Sequence, residues 1–520
     1  MRTKSGVAFP RGIAWMLALL IVGCGVTGTP IQTPSPIPPS PVVTLSAADV
    51  DAIVQAALTA VSPTTMVVAV VDRAGNLLAL WRKTDAPATA PGNFGIPIDT
   101  NDLALGLART GAFFSNNQAP LTSRTIRFIS GIHLPPGVMN QPNADLYGIE
   151  NTNRGCMLSA ELEASGLHPS RAFSGGIGPG IITGKADTND SDPNSVNPGG
   201  LPIFKGTVLV GGIGVAGVGP DVAEFAAFTG AQANGYSPVP NPLPSPGAVF
   251  LGGVVLPAID QTTRPAGVGT GTSVGSYMMG PIVGKSAPEG DLIGPHPSVN
   301  PDPANGGLTS AEVKQILDNA EATANTTRAA IRLPLGSRTR MVIAVSDLDG
   351  TIIGLRRMVD ATVFSVDVAA TKARNMVYFN GGQRTLADLN QVPLGTAVTN
   401  RTISFGAMPL FPPGIDGSQP GPFFDVYLND TANPCSQGLG SGLSSGKNSG
   451  IVFFPGSTGL FRNGTLVAGL GVSGDGVDQD DYVTSGGAAG FQAATNIRAD
   501  QIVIRDVRLP YFKFPRDPTN

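Results

Sequence analysis

The chain has 520 residues, which is too long for one hydrophobic core, so its length predicts more than one domain. Charged residues make up only 13% of the sequence and the net charge is −4, without a basic run that could follow a phosphate backbone, so nucleic acid is not expected as a partner. Glycine (68 residues) and proline (46 residues) are abundant, which predicts folded units joined by long, turn-rich loops.

The N-terminus has the layout of a secretory signal peptide. Arg2, Lys4 and Arg11 precede an apolar run at 13–22, which is too short to span a bilayer comfortably. The run leads to Cys24 in a sequence that resembles a bacterial lipobox. This resemblance implies cleavage before Cys24 and a diacylglycerol anchor on its thiol. The alternative is a plain signal peptide with an incidental cysteine.

These features predict a signal peptide at 1–23 and a tether rich in Pro, Thr and Ser at 24–43. Such a composition suits an extended spacer between a membrane and a folded domain. The expected location is therefore the bacterial cell envelope, on its periplasmic or outer-membrane face, with the membrane contacted through the lipid anchor.

The remainder of the chain contains one order of predicted elements twice. A helix with a capping-box start is predicted after Ser46 and again after Thr309. Two β-branched runs around an Asp-x-x-Gly turn follow at 66–80 and 341–355, and each pair predicts a β-hairpin.

A second predicted helix occupies 102–114 in the first copy and 367–379 in the second. An Arg-Thr-Ile segment follows in each copy, at 123–128 and 400–405, and leads to Pro-Pro-Gly. These pairs extend the repeat across the first half of each copy.

Long loops rich in Gly, Asn, Pro and Ser come next, at 138–197 and 415–454. Loops of this length inside a domain are usually functional or disordered. Each loop contains one cysteine, Cys156 and Cys435. We expect two free loop thiols. A disulfide across a pseudo-two-fold axis is the alternative, since an exported compartment permits it.

The repeat is clearest in a central β-hairpin at 198–217 and 455–474, where the two copies align without a gap at an offset of 257 residues. A third helix and a closing strand are predicted after each hairpin, at 220–229 and 249–256 in the first copy and at 477–486 and 501–509 in the second.

The order of elements predicts an α+β fold, since consecutive hairpins require antiparallel sheets with helices on one or both faces. We place the first domain at 44–257 and the second at 308–520. A Gly/Pro-rich linker at 258–307 separates them.

Several motifs in this order resemble the GlcG/HbpS-like family. A strand pair contains Val-Ala-Val-Val-Asp-x-x-Gly at 68–75, and a helix contains Ala-x-x-Lys-Ala-Arg at 369–374. The central hairpin contains Pro-Gly-Gly-Leu-Pro-Ile at 198–203, followed by Val-Gly-Gly-Ile-Gly-Val at 210–215. The resemblance implies two profilin-like domains that arose by internal duplication and pack as an internal pseudo-dimer, with a homo-oligomer as a further expectation. Lys372 matches the family pattern, whereas the first copy has Leu107, so the two sites are not expected to be equivalent.

The resemblance implies haem or another tetrapyrrole as the ligand, for capture, buffering or redox sensing. Haem degradation follows only from the name of the class. The alternative function is a surface scaffold that binds protein partners through its long loops without a cofactor. No axial ligand is carried over by a motif, so the options for iron are an unpaired histidine, a tyrosine, a methionine or no strong ligand. The histidines and tyrosines in question are His133, His168, His296, Tyr147 and Tyr427.

Four arginines recur in polar contexts: Arg109, Arg124, Arg374 and Arg401. Because a guanidinium binds a carboxylate in a bidentate manner, these residues are candidates for holding a propionate. The alternative is a structural bond to a backbone carbonyl or to Asp72 or Asp347.

Four glycines lie in Gly-x-Gly-x-x-Gly sequences: Gly212, Gly214, Gly469 and Gly471. The preceding strand is the second arm of a hairpin, whereas a dinucleotide-binding unit opens with this motif, so the glycines are expected to permit close approach of a helix or a ligand. Two Asp-rich runs, 187–194 and 475–481, lack the pattern of an EF-hand and are expected to be solvated loops. No Ser-His-Asp or Cys-His set repeats, so we assign no catalytic residue.

Overall fold

The computed structural model describes residues 42–156, 167, 171–184, 192 and 194–519. The predicted signal peptide, Cys24, most of the tether, His168 and most of the first Asp-rich run lie outside these residues. In the part of the chain that is described, no helix is both long and apolar enough to cross a membrane.

The chain forms two lobes, which we define as residues 42–285 and 286–519. The first lobe contains α1 (Ala47–Ala60), β1 (Val67–Asp72), β2 (Leu77–Arg82), β3 (Thr89–Pro91), β4 (Pro97–Asp99), α2 (Thr100–Phe114), α3 (Ser123–Phe128), β5 (Gly200–Lys205), β6 (Val208–Ala216), α4 (Pro220–Ala231), β7 (Phe250–Leu251), β8 (Val254–Val255) and β9 (Ser276–Met279).

The second lobe contains β10 (Gly290–Ile293), α5 (Ser310–Thr326), β11 (Val342–Ser346), β12 (Ile352–Arg357), α6 (Phe364–Asn380), α7 (Asn400–Gly406), α8 (Phe424–Ala432), β13 (Ser457–Arg462), β14 (Thr465–Ser473), α9 (Val477–Gly487), β15 (Val503–Ile504) and β16 (Val507–Arg508). The capping boxes predicted at Ser46 and Thr309 are present, and they fix the starts of α1 and α5.

Each lobe is built on a five-stranded antiparallel sheet. The strand order is β5-β6-β1-β2-β9 in the first lobe, and reading the second sheet in the same direction gives β13-β14-β11-β12-β10. In the first sheet Val70 lies opposite Ala79 on one side and Ile213 on the other. The prediction of an α+β fold with antiparallel sheets flanked by helices is confirmed.

The central strand of each sheet is covered on both faces. On one face of β1, Val67, Ala69 and Val71 pack against α2. On the other face, Val68 and Val70 pack against α1 and α4. Because side chains of a strand alternate between faces, burial of all six residues of β1 requires helices on both sides. Each lobe is therefore a three-layer arrangement of helix, sheet and helix.

The segment predicted as a linker, 258–307, takes part in both sheets. It supplies β9 to the edge of the first sheet beside β2, and β10 to the edge of the second beside β12. The hairpin aspartates bind the same segment, since Asp72 accepts a hydrogen bond from the amide of Lys285 (2.9 Å) and Asp347 accepts one from the amide of Val299 (2.6 Å). The segment therefore completes two sheets while it connects them.

The closing segments differ from the prediction of one strand each. Both are short hairpins of two-residue strands, β7–β8 and β15–β16. Their turns are Gly252-Gly253 and Arg505-Asp506, and all four turn residues have positive φ (56°, 85°, 50° and 61°). Two successive residues with positive φ are typical of a type I′ turn, which reverses the chain where a continuous strand was expected.

The long loops join the two lobes. Cys156 and Cys435 form a disulfide, so the expectation of two free thiols was wrong. Beside it, Arg154 donates to the buried carboxylate of Asp430 at 2.9 Å. The described parts of the two loops contact one another, and the cysteines, separated by 279 residues, have a Cα–Cα distance of 5.2 Å.

Candidate functional site

Arg124 and Arg401 are committed to ion pairs inside their own lobes. Arg124 binds Glu224 through two contacts of 2.9 and 2.7 Å, and the carboxylate of Glu224 is fully buried. Arg401 contacts Asp481 and, at 2.6 Å, Asp478. Both guanidinium groups are therefore paired with carboxylates of their own lobe, which is the arrangement of a structural ion pair.

The second Asp-rich run is therefore not a solvated loop, as its composition had suggested. Asp475 pairs with Arg332 at 2.8 Å, and Asp480 pairs with Lys372 at 3.0 Å. The carboxylates are buried, because the run lies at the start of α9 against the sheet, where each charge has a partner from a neighbouring element.

Lys372 and Leu107 confirm that the two lobes differ at this position. Lys372 is completely buried, donates to the carbonyl of Val472 at 2.8 Å and lies over the ring of Phe454, whereas Leu107 is part of the apolar core. Burial raises the pKa of Asp480 to about 7 and lowers the pKa of Lys372. The pair is a buried polar contact without a counterpart in the first lobe.

Arg109 and Arg374 bond to the turn glycines of their hairpins. The Nε of Arg109 donates to the carbonyl of Gly75 (3.1 Å), and that of Arg374 donates to the carbonyl of Gly350 (2.8 Å). The two positions differ in their surroundings. Arg374 is covered by Ser449, whereas Arg109 lines a cavity of about 390 Å³ on the first lobe, which we name the arginine cavity.

The motif glycines permit close packing of a helix on the sheet. A Cβ on Gly214 would lie 1.9 Å from the carbonyl oxygen of Ala104 in α2, and one on Gly471 would lie 2.2 Å from that of Ala369 in α6. A Cβ on Gly212 would lie 2.2 Å from a backbone carbonyl oxygen of α2, and one on Gly469 would lie 2.1 Å from a backbone carbonyl oxygen of α6. Of the two roles expected from the sequence, these distances match the approach of a helix.

A cavity of about 470 Å³ lies in the first lobe where β6 ends and α4 begins. Its lining consists of proline, glycine, threonine and aliphatic residues with one asparagine, Asn197, and includes neither a charged side chain nor a side chain that binds iron. The corresponding space in the second lobe is only about 20 Å³, because Ile129, Leu146 and Leu251 of the first lobe fill it.

A third cavity, of about 360 Å³, is shared by both lobes, and we name it the tyrosine cavity. Its aromatic residues are Phe94 and Tyr147 from the first lobe and Phe424 and Tyr427 from the second. The rings of Tyr147 and Tyr427 are stacked with centroids 5.1 Å apart, and Tyr427 also contacts Phe424 at 5.8 Å. This cavity brings together the two tyrosines that sequence reasoning had named as ligand options.

The polar groups of the tyrosine cavity are few and mostly buried. Arg127 lies over the ring of Phe94, and Glu150 accepts hydrogen bonds from the hydroxyls of Ser130 (2.7 Å) and Thr183 (2.6 Å). Burial raises the pKa of Tyr427 to about 12, and the charge of Glu150 adds to this rise. The phenol of Tyr427 therefore holds its proton at neutral pH.

Comparison with known families bears on the second lobe. Residues 308–489 match the family described as haem degrading protein HbpS-like. This segment therefore resembles an HbpS-like domain, and we refer to it by that name. No curated protein matches the chain.

Two solved structures resemble parts of the chain that contains this HbpS-like domain. One is a PduOC:heme complex, with 22% identity, 36% of this chain covered, 98% of that chain covered and a TM-score of 0.24. The other is protein ORFY of Klebsiella pneumoniae, of the family DUF336, with 19% identity, coverage of 36% and 92%, and a TM-score of 0.23.

The HbpS-like domain contains no histidine, so an iron ligand from within it would be of another type. Outside the domain, His133 is bound to Asp416 at 2.7 Å, and neither His133 nor His296 lines the tyrosine cavity. Among the described residues there is no group of three or more His, Cys, Asp or Glu side chains that could hold a metal ion.

The residues around the tyrosine cavity fit a planar tetrapyrrole. Aromatic rings provide faces against which a macrocycle would pack, and Tyr427 provides an oxygen of a type that binds iron in haem proteins. Sequence reasoning missed Arg127 and the phenylalanines, because neither recurs as a matched pair in the two copies. No motif of the sequence singles these residues out.

Proposed function

We propose that this protein is an exported, lipid-anchored tetrapyrrole-binding protein. In this proposal two profilin-like lobes, related by internal duplication, act as an internal pseudo-dimer. The match of 308–489 to an HbpS-like family supports a haem-type ligand, and the matching strand orders of the two sheets support the duplication.

The observation that carries the proposal is the tyrosine cavity, to which both lobes contribute. A volume of about 360 Å³ falls in the range of small-molecule sites, and its lining is mainly apolar and aromatic with a few polar groups. A bound haem would supply an iron centre, and the oxygen of Tyr427 is the side chain of this cavity that would hold it.

Within this site we assign separate roles to two side chains. Tyr427 Oη would hold the iron of the ligand, and because its pKa is about 12, it would have to give up its proton to do so. Tyr147 holds the Tyr427 ring in place through their stacked contact.

Export is supported by the disulfide between the lobes, because such bonds persist in oxidising compartments and are rare in the cytosol. The predicted lipid anchor at Cys24 places the site near a membrane. Capture or buffering of the ligand suits this location, and redox sensing is the other role that the resemblance implies.

A haemin titration tests the proposal. We expect a saturable shift of the Soret band for the wild type and an affinity about 10-fold or more weaker for Tyr427→Phe. Tyr482→Phe is the matched control, since Tyr482 contacts Phe514 away from the cavity. The wild-type affinity should rise with pH, because proton release accompanies binding.

Absence of a saturable Soret shift would refute tetrapyrrole binding and favour the scaffold function, in which the loops bind a protein partner. Equal affinities for wild type and Tyr427→Phe would refute the site. Addition of a reductant to the complex separates binding from haem degradation, since only degradation yields a biliverdin-like product.

A further inference from the structure

The arginine cavity contains a buried cation, Arg109, for which the described residues provide no ion-pair partner. Arg109 is only 7% exposed, and its bonds go to the backbone carbonyls of Gly75 (3.1 Å) and Arg171 (2.7 Å). Among the described residues no carboxylate lies within ion-pair distance of Arg109, in contrast to Arg124 with Glu224. A buried guanidinium that bonds only to neutral groups provides a site for an anion.

The carboxylates that face Arg109 are already occupied. Asp72 accepts hydrogen bonds from the amides of Ala74, Asn76 and Lys285, and Asp102 accepts one from the amide of Phe173. Burial raises the pKa of both carboxyl groups. Lys285, which is exposed, lies at the rim of the cavity and adds a second cationic side chain near Arg109.

The rest of the arginine cavity is apolar. Leu77, Leu78 and Leu105 line its wall, and Met279 of β9 lies beside them. At the mouth, Ile282 and Val283 are 44% and 62% exposed, which is unusual for aliphatic side chains next to a cavity. A cationic end and an apolar wall are thus found in one pocket.

The second lobe shows the same position in a closed form. There Ser449 accepts the hydrogen bond from Arg374, and a Cβ on Gly350 would lie 2.7 Å from Leu443. The loop 443–449 therefore fills the space that is open beside Arg109. The first lobe retains a pocket that the second lobe fills with its own chain.

From these observations we propose that the arginine cavity binds a carboxylate with an unbranched apolar tail, of the class of medium-chain fatty acids. The carboxylate pairs with Arg109, with Lys285 at the rim, and the tail lies along β2 and β9 towards Ile282. This site is separate from the tyrosine cavity and does not depend on tetrapyrrole binding.

Calorimetric titration of the full chain with decanoate tests this inference, with decan-1-ol as the uncharged probe. We expect saturable binding of one decanoate per chain and no saturable binding of the alcohol. Arg109→Met should weaken decanoate binding about 30-fold or more, because it removes the buried partner of the charge. Ile282→Asp places a negative charge at the mouth and should weaken binding at least 10-fold.

Leu335→Asp is the control for Ile282→Asp, since Leu335 is 65% exposed and lies outside the cavity. If Arg109→Met does not fold, the comparison of Ile282→Asp with Leu335→Asp decides the question. The proposal is overturned if decanoate does not saturate, if the alcohol binds equally well, or if Ile282→Asp and Leu335→Asp bind decanoate alike. Ile282→Asp should leave the Soret shift unchanged and Tyr427→Phe should leave decanoate binding unchanged, so failure of one site is distinguishable from failure of the other.

Discussion

Removal of the Cys156–Cys435 disulfide should lower the free energy of unfolding by about 3–5 kcal/mol. The bond spans 279 residues, and its main effect is to restrict the unfolded chain. The chain-entropy relation gives a limit of about 5.6 kcal/mol at 25 °C for a loop of this length. Residual structure in the unfolded ensemble reduces the measured value below this limit.

The native state should change little when the disulfide is removed, because other contacts hold the same loops together. Arg154 and Asp430 form a buried ion pair at 2.9 Å, and the amide of Asn153 donates to Asp367 at 2.8 Å. These contacts join the two lobes within three residues of Cys156, so the loss of stability should arise mainly in the unfolded state.

The measurement is urea unfolding of the Cys156→Ser/Cys435→Ser variant, followed by far-UV circular dichroism and compared with the oxidised and reduced wild type. Reduction should match the double substitution, and reductant should not affect the variant. A thiol assay on the denatured, unreduced wild type should find the same number of free thiols as in the variant, because Cys156 and Cys435 are bonded to each other. A loss below about 1 kcal/mol, or two additional thiols in the wild type, would refute the reasoning.

The remaining predictions concern packing, a buried ion pair and pH. Gly214→Ala should destabilise the protein by about 3 kcal/mol in chemical denaturation, because the new methyl group meets the backbone of α2, whereas Gly382→Ala, which points into open space, should change stability by less than about 0.5 kcal/mol; equal effects would contradict the packing account. Glu224→Gln should cost about 3 kcal/mol, since it removes the fully buried charge that pairs with Arg124, and it should not alter the Soret band. Burial and the neighbouring charge of Asp478 raise the pKa of Asp145 from 3.8 to about 6, so the folded state binds more protons and stability falls as pH rises through this window. At 1.36 kcal/mol per pKa unit the contribution of Asp145 is at most about 3 kcal/mol. Asp145→Asn should make the slope shallower in denaturation measured from pH 4 to 7, and the remaining slope comes from other buried carboxyl groups such as Asp430 and Asp480.

Local patterns in the sequence were sufficient to predict the scaffold. The capping residues Ser46 and Thr309 start helices, and the β-branched runs on both sides of each Asp-x-x-Gly turn form hairpins. These signals act over a few residues, so they are readable without tertiary information. The consecutive hairpins predicted antiparallel sheets, and the repeat predicted that this order of elements occurs twice.

Contacts between distant segments could not be predicted in the same way. The disulfide joins loops without periodicity, and the edge strands β9 and β10 arise from a segment whose composition is that of a linker. For the arginines, the sequence identified polar positions but not their partners, because Glu224 lies 100 residues from Arg124 and Asp481 lies 80 residues from Arg401. The choice between a ligand and an ion pair depended on tertiary structure.

The candidate site was predictable only in part for the same reason. Tyr147 and Tyr427 were named as ligand options by their chemistry, but each comes from a different long loop. Their stacked contact depends on how the two loops pack, which no local pattern specifies.

The central claim is that both lobes together build a single tetrapyrrole site, and the stoichiometry of haemin binding tests it most directly. Titration of the full chain, monitored at the Soret band with protein concentration well above the dissociation constant, should saturate at one haemin per chain. The site should be weakened by Tyr427→Phe in one lobe and by Tyr147→Ala, which removes the stacked ring, in the other. Saturation at two haemins per chain, with an affinity that neither substitution changes, would contradict the account.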